Sequence, residues 1–228
     1  MRVMTDRLRS AARDDAGFTL IELLVALAIG SIVLTAVMFV FVNGLQGAGK
    51  VTDRIDATQR GRATADRIQM LLQAQVCAPN GGAPISVAGP TSVTFTANTG
   101  DVNAVPVRYR LRWDSATNGI YQDTYAPNTS VSPVSYPSSP TSTKQIGAQM
   151  QPADGATLFT YYGFNTATGG LADAPLSPVD VNQVVAVDFS LMALPERTKT
   201  ADPRSMSVSG QAVAGSADPA DPNEGPKC

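Results

Sequence analysis

The feature that most restricts this chain is an apolar run over residues 18–42 in which Glu22 is the only charged residue. At about 1.5 Å per residue, a helix over this run would be about 37 Å long, and the hydrocarbon core of a bilayer is about 30 Å thick. The run therefore predicts a membrane-spanning helix. A carboxylate inside a bilayer costs about 2.5 kcal/mol or more, so Glu22 needs a partner or must lie close enough to one interface to reach water.

A short polar leader, residues 1–17, precedes the run and contains four arginines and three aspartates. An excess of arginine beside a span marks the cytoplasmic side, which places the rest of the chain beyond the membrane. An ordinary secretory signal has a shorter apolar region followed by a small-residue cleavage site. Here the small residue, Gly17, comes before the run, so cleavage at Gly17 would leave the helix on the mature chain.

The residues GFTLIELLVA, at positions 17–26, resemble the processing and methylation motif of type IV pilins and pseudopilins. The resemblance implies that prepilin peptidase cuts after Gly17 and that the new terminus, Phe18, is N-methylated. It also implies an α+β, pilin-like fold, in which a long N-terminal helix packs on a mainly antiparallel β-sheet head. The partners implied are other major and minor pilins or pseudopilins, an assembly platform in the inner membrane and membrane lipid, within a hetero-oligomeric filament.

Glu22 matches the glutamate of that motif and lies four residues after Phe18. An ammonium and a carboxylate that both lie in lipid are costly alone and stabilise each other when paired. The amine of Phe18 in a neighbouring subunit would make this pair a device for assembly. Residues four apart share a helix face, so the amine of the same chain is a second possible partner.

Composition excludes several classes of function. The formal charge is −2, and no basic excess indicates binding to a specific nucleic acid. The chain has no histidine, which excludes Ser-His and Cys-His nucleophiles and imidazole-based zinc sites. We therefore predict a non-enzymatic protein with no cofactor and no metal. Three acidic residues near the end of the chain lack the spacing of a calcium loop: Asp218, Asp221 and Glu224.

The two cysteines are Cys77 and Cys228. The compartment beyond the membrane is oxidising, and closing a loop of about 150 residues stabilises a fold by about 4–5 kcal/mol in the chain-entropy model. We therefore predict an intrachain disulfide between them. Two free thiols, or an intermolecular bond formed by Cys228, are the alternatives.

Residues 43–77 are predicted to form the extracytoplasmic, amphipathic part of the N-terminal helix. Its first residues include Gly44, Gly47 and Gly49, which indicate either a hinge or a helix that tolerates them. Beyond the glycines, apolar residues recur at helical spacing and are expected to pack on the head. They are Val51, Ile55, Ala65, Ile68, Leu72 and Val76.

The globular head is predicted over residues 78–214, where apolar residues recur with a period of two. The expected strands are 92–96, 107–113, 120–125, 157–164, 184–194 and 205–214, and the second and third form the clearest hairpin. Residues 126–156 are rich in Pro, Ser and Thr and are expected to be a long surface loop. Residues 215–228 form an acidic, proline-rich tail.

One face of the strand at 107–113 carries Arg108, Arg110 and Arg112. The simpler interpretation is the water-facing side of a half-buried strand, with Asp123 opposite across the hairpin. The alternative is contact with a partner subunit or an anionic surface.

Residues 59–77 and the hairpin further resemble J-type minor pseudopilins of type II secretion and related minor pilins. This resemblance implies a structural subunit that forms or primes the tip of a secretion pseudopilus or a type IV pilus. It would be a single-pass protein of the cytoplasmic (inner) membrane, with a cytoplasmic N-terminus and an extracytoplasmic head, before it enters the filament. The alternative is a tip adhesin or DNA-binding minor pilin that uses the three arginines or the 126–156 loop.

Overall fold

The structure is a computed structural model that describes residues 19–100, 104–196, 200–217, 226 and 228. The chain forms two compact units, and the boundary between them lies between Gly49 and Lys50. Within the described residues, one helix and nine strands follow in order: α1 (Leu20–Gln73), β1 (Ile85–Ala88), β2 (Ser92–Ala97), β3 (Val107–Asp114), β4 (Gly119–Tyr125), β5 (Ser142–Ala148), β6 (Met150–Pro152), β7 (Phe159–Tyr162), β8 (Ala186–Ala193) and β9 (Met206–Val213). The pairings described are antiparallel, which confirms the predicted α+β class.

In the first unit, every described residue from Thr19 to Gly49 is exposed, and α1 is helical through the three glycines that suggested a hinge. The helical alternative is therefore the one found. Ser31 and Thr35 donate their hydroxyl hydrogens to carbonyls of the preceding turn at 2.8 Å, and Asn43 bonds its own helix in the same way. These polar side chains are thus satisfied within the helix.

The second unit contains two sheets. The first is a five-stranded meander in the order β1-β2-β3-β4-β5. In the second, β8 is central: β6 and β7 pair with different parts of one side, and β9 pairs along the other. The hairpin between β3 and β4 is confirmed, with Arg110 opposite Asp123 and Trp113 opposite Ile120.

The C-terminal part of α1 packs on both sheets through a face of small and aliphatic residues. Its buried positions are Ala57, Gly61, Thr64, Ala65, Ile68, Leu71 and Leu72. A Cβ added at Gly61 would lie 3.1 Å from Val208 of β9, and one added at Gly147 of β5 would lie 2.8 Å from the Thr64 side chain. The side chains of Val208 and Thr64 would have to move to accept a larger residue at these positions, so both glycines favour this close approach.

Three arginine contacts also hold this part of α1 to the head. Arg204, in the loop before β9, forms an ion pair with Asp53 at 2.8 Å. Arg60 donates to the carbonyl of Leu194 at 2.8 Å, after β8, and Arg67 donates twice to the amide oxygen of Gln122 on β4.

The predicted apolar stripe is wrong at its first two positions. Val51 and Ile55 are 60% and 50% exposed, because burial of α1 by the head begins only at Ala57. The helix also ends at Gln73, four residues before the expected boundary at Cys77. Gln75 instead bridges to Ala97 at the end of β2, so the chain changes there from helical to sheet hydrogen bonding.

The prediction of a surface loop over residues 126–156 is also wrong in part, because β5 and β6 lie within it. The first four residues of β5, Ser142–Gln145, are exposed and polar. They are held by backbone pairing with β4. Because this pairing needs no apolar side chains, the sequence shows no alternation that would predict the strand. The short strand β1 was not predicted either.

Candidate functional site

The first turn of α1 is capped by Thr19. The backbone N–H of Glu22 donates to the hydroxyl oxygen of Thr19 at 3.3 Å and to its carbonyl oxygen at 3.0 Å. Thr19 and Glu22 therefore have the spacing of a capping box, in which the N-cap hydroxyl bonds the third helical residue. The sequence carries this signal as Thr-x-x-Glu before an apolar run, within the same residues as the processing motif.

Glu22 is exposed in this first turn, among apolar side chains that are also exposed. In the described part of the chain, its carboxylate has no ion pair or side-chain hydrogen bond. The positive end of the helix macrodipole favours a carboxylate here by about 0.3–1 kcal/mol, which is less than the cost of placing that charge in lipid. The helix terminus alone therefore does not offset the free-energy cost of placing the Glu22 carboxylate in lipid.

The apolar surface around Glu22 is extensive. Leu20, Ile21, Phe39 and Val40 are each 70–78% exposed, and the most apolar 18-residue window of α1 has no buried residue in the chain itself. By length and composition this helix can cross a membrane. A surface of this kind requires lipid or other helices around it.

The predicted cleavage residues, Gly17 and Phe18, lie outside the described residues. Thr19 and Glu22, which follow them, are the part of the predicted site that the structure positions.

Comparison with known proteins bears on this same segment. The family model for the prokaryotic N-terminal methylation motif matches residues 12–38. The match supports a type IV pilin-like prepilin. Proteins that carry this motif are prepilin peptidase substrates and structural subunits that assemble into filaments, and the apolar helix is compatible with a single-pass anchor in the inner membrane. The searches of curated proteins and of solved structures gave no match.

The second predicted site, the arginine face of β3, is occupied largely by internal contacts. Asp123 is fully buried and accepts hydrogen bonds from Arg110 at 2.6 and 2.8 Å, from Arg112 at 3.0 Å and from the hydroxyl of Thr143 at 2.7 Å. Burial alone would raise the pKa of Asp123, but the bonds from Thr143, Arg110 and Arg112 outweigh it and hold the pKa below the ordinary value of an aspartate.

Two tyrosines cover other parts of the arginine face. The guanidinium of Arg108 lies 4.3 Å from the ring centre of Tyr136, and that of Arg112 lies 4.8 Å from the ring centre of Tyr121. These are cation–π distances. Tyr136 lies in the segment that was expected to be a loop. It is fixed by donating its hydroxyl hydrogen to the carbonyl of Pro106 at 2.8 Å. Nothing in the local sequence pairs Tyr136 with Arg108.

Cys77 and Cys228 are joined in a disulfide, with Cα atoms 5.4 Å apart. The bond attaches the end of the chain to the segment that follows α1. The acidic residues considered for calcium, Asp218, Asp221 and Glu224, lie outside the described residues. Among the residues that the structure describes, no group of three or more His, Cys, Asp or Glu side chains is placed to hold a metal ion.

Proposed function

We propose that this protein is a minor pilin or pseudopilin subunit that prepilin peptidase cuts after Gly17. The mature chain begins with N-methylated Phe18 and is anchored in the inner membrane by residues 18–42, with its head on the extracytoplasmic side. The motif match over residues 12–38 carries this proposal. The arginine excess of the leader supports the orientation.

Within this function, Glu22 pairs with the amine of Phe18 and thereby recruits the subunit to the assembly platform and the filament. The partner amine belongs to a neighbouring subunit. Support comes from the exposed carboxylate of Glu22, which no described side chain binds, and from the cost of leaving that charge unpaired in lipid.

The finer role that we propose is a J-type minor subunit, low in copy number, at the tip of a type II secretion pseudopilus or a type IV pilus. Tip subunits of the K type typically lack the glutamate of the motif, and this chain has it at Glu22. Major pilins are usually shorter and carry a more compact head. Abundant surface filaments made of this chain would contradict the minor role.

Mass spectrometry of the membrane-extracted protein tests the processing step. We expect a mature chain that begins with N-methylated Phe18 and that a Gly17→Leu variant fails to produce. An uncut chain, or a cut on the far side of residue 42, would refute the proposed class.

A substitution at Glu22 separates charge pairing from helix capping. A capping box accepts Gln in place of Glu, whereas an ammonium in lipid requires the charge. We therefore expect Glu22→Gln to be processed normally but to be lost from assembled filaments or from complexes with partner subunits, as measured by cross-linking and pull-down. Glu196→Gln, in the head, is the matched control. Normal assembly of Glu22→Gln would contradict the pairing and favour the cap.

A further inference from the structure

Strand β9 forms one edge of the second sheet, because it pairs with β8 on one side and with no described strand on the other. The N–H of Ala214 donates to the carbonyl of Val185, and the register between β8 and β9 is regular. Every second residue of β9, counted back from Ala214, therefore bonds β8, and the backbone groups of the residues between them point away from β8. These outward residues are exposed: Ser207, Ser209, Gln211 and Val213.

The outward backbone groups of β9 have no partner in the part of the chain that the structure describes. None of the four residues forms a backbone hydrogen bond to a described residue beyond β8. Their N–H and C=O groups repeat at every second residue, which is a spacing of about 7 Å along a strand. A row of donors and acceptors at this spacing matches the backbone of another extended strand. The edge therefore selects an extended peptide as its ligand.

The other edge strands of the head carry features that hinder strand addition, and β9 carries none of them. β1 has four residues and an irregular register with β2, β6 has three residues and ends in Pro152, and β7 has four residues. β5 carries Lys144 and has an irregular register with β4. β9 has eight residues in a regular register, with no proline and no charged side chain. Because native proteins usually protect their sheet edges in these ways, an unprotected edge indicates a strand that another chain covers.

The side chains beside the edge determine which strand fits there. On the inner face of the sheet, Val208 packs against the core and stays partly exposed, as does Met206. On the outer face, Ser207, Ser209 and Gln211 are polar and exposed. An added strand continues both faces if its apolar side chains lie on the inner face and its uncharged polar side chains lie on the outer face. A slip by one residue would exchange the two faces, so this alternation also fixes the register.

Two other occupants fit the edge less well. Two copies of β9 that pair antiparallel are related by a two-fold axis perpendicular to the sheet, so the part of α1 that packs along the sheet, from Ala57 to Leu72, would run in opposite directions in the two copies. Chains anchored in one membrane by their N-terminal helices, as we propose, need the same direction. The chain's own last residues include Pro219, Pro222 and Pro226, which cannot supply a continuous row of N–H groups.

We propose that the open edge of β9 binds an extended segment of another extracytoplasmic protein by antiparallel strand addition. The segment is free of proline over at least four residues and alternates apolar with uncharged polar side chains. The location of this partner rests on the proposed function, but the edge is separate from the N-terminal segment that carries the assembly role. The test needs no processing and no filament, so either proposal can fail alone.

The probe is a fluorescein-labelled peptide of eight alternating threonine and valine residues with blocked ends. In antiparallel addition with the valines on the inner face, the threonines lie opposite Ser207, Ser209 and Gln211, and their N–H groups face β9. A peptide that is N-methylated on its valines keeps these N–H groups and cannot form extended sheets with itself. A peptide of the same composition that is N-methylated on its threonines loses them.

Fluorescence anisotropy measures the binding of both peptides to the full chain in neutral phosphatidylcholine nanodiscs, with empty nanodiscs as the blank. We expect the peptide with methylated valines to bind about tenfold or more tightly than the peptide with methylated threonines, because only the first can complete the ladder. This comparison needs no change in the protein.

A substitution at Ser209 assigns the binding to β9. Ser209→Pro removes an N–H that points away from β8 and places the proline ring at the edge, a position where a strand tolerates proline. It should weaken peptide binding by about tenfold or more. Ser209→Ala loses the same hydroxyl but keeps the N–H, so it is the matched control and should bind like the wild type. The two methylated peptides keep the test valid if Ser209→Pro does not fold.

Four results would overturn the proposal. Neither peptide binds at millimolar concentration, the peptide with methylated threonines binds as tightly as the other or more tightly, or a folded Ser209→Pro variant binds like the wild type. The fourth result is a wild-type dimer, found by sedimentation in detergent, that Ser209→Pro converts to a monomer, because a second copy would then occupy the edge.

Discussion

Replacing Asp123 by Asn should destabilise the head, because the carboxylate holds two guanidinium groups and a hydroxyl in a fully buried position. Breaking a buried ion pair costs about 3–5 kcal/mol. The side chains of Arg110 and Arg112 are 37% and 32% exposed, so water screens the charges left behind. We therefore expect a loss of about 2 kcal/mol, which corresponds to about 4–8 °C in Tm for a unit of this size.

The lowered pKa of Asp123 also predicts how the loss of stability changes with pH. The folded-state pKa of Asp123 is lowered, so its contribution is complete above the unfolded pKa and is lost as pH falls through the folded value. The stability difference between wild type and Asp123→Asn should therefore be constant from about pH 5 to 7 and shrink as the pH falls below about 4. Asp154 and Asp202 also have lowered pKa values, but both proteins share them and they cancel in the difference.

Urea unfolding of the full chain in neutral detergent measures the effect through the fluorescence of Trp113. This is the only tryptophan of the sequence, and its indole N–H donates to the carbonyl of Met150 at 2.9 Å. Asp173→Asn, at an exposed loop position, is the control. The reasoning is refuted if Asp123→Asn is as stable as this control, or if its deficit is the same at pH 3 and pH 7.

Two further substitutions test packing and tethering in the same assay. Gly210→Ala should lower the free energy of unfolding by about 1–3 kcal/mol, because the new Cβ would lie 2.5 Å from the ring of Phe189. Gly215→Ala is the control, since a Cβ there meets open space and should change stability by less than about 0.5 kcal/mol. Equal effects of the two substitutions would exclude the clash. Replacing Cys77 and Cys228 together by Ser should cost about 2–5 kcal/mol, because they lie 151 positions apart in the sequence, and should match the reduced wild type. A double variant as stable as the oxidised protein would show that the tether does not stabilise the head.

The parts of the fold that sequence predicted are those with a local signal. Alternation of Tyr109 and Leu111 with arginines predicted β3 and its hairpin, because one face of that strand is buried and the other is not. Periodicity also predicted the buried face of β8 through Val187 and Phe189. The apolar run predicted the first part of α1, since its composition fits few other structures.

The missed parts depend on partners distant in the sequence. Backbone pairing holds the polar strand β5, and no side-chain pattern reports it. Val51 and Ile68 both fit the helical repeat of apolar residues, yet only Ile68 packs against the sheets. The repeat alone therefore does not show where burial of the helix begins. Thr143, whose hydroxyl bonds Asp123, is brought beside it only when β5 pairs with β4, which is a non-local event.

The way α1 is fastened also determines how the head would bear mechanical load. Its three arginine contacts are spread along the helix at Asp53, Arg60 and Arg67, and the last attaches to the other sheet. A pull along the helix axis would load these contacts, and the packing at Gly61, in shear and together. Rupture would then require several contacts to fail at once. This part of α1 should therefore stay attached when a force reaches the head through the N-terminal end of the helix.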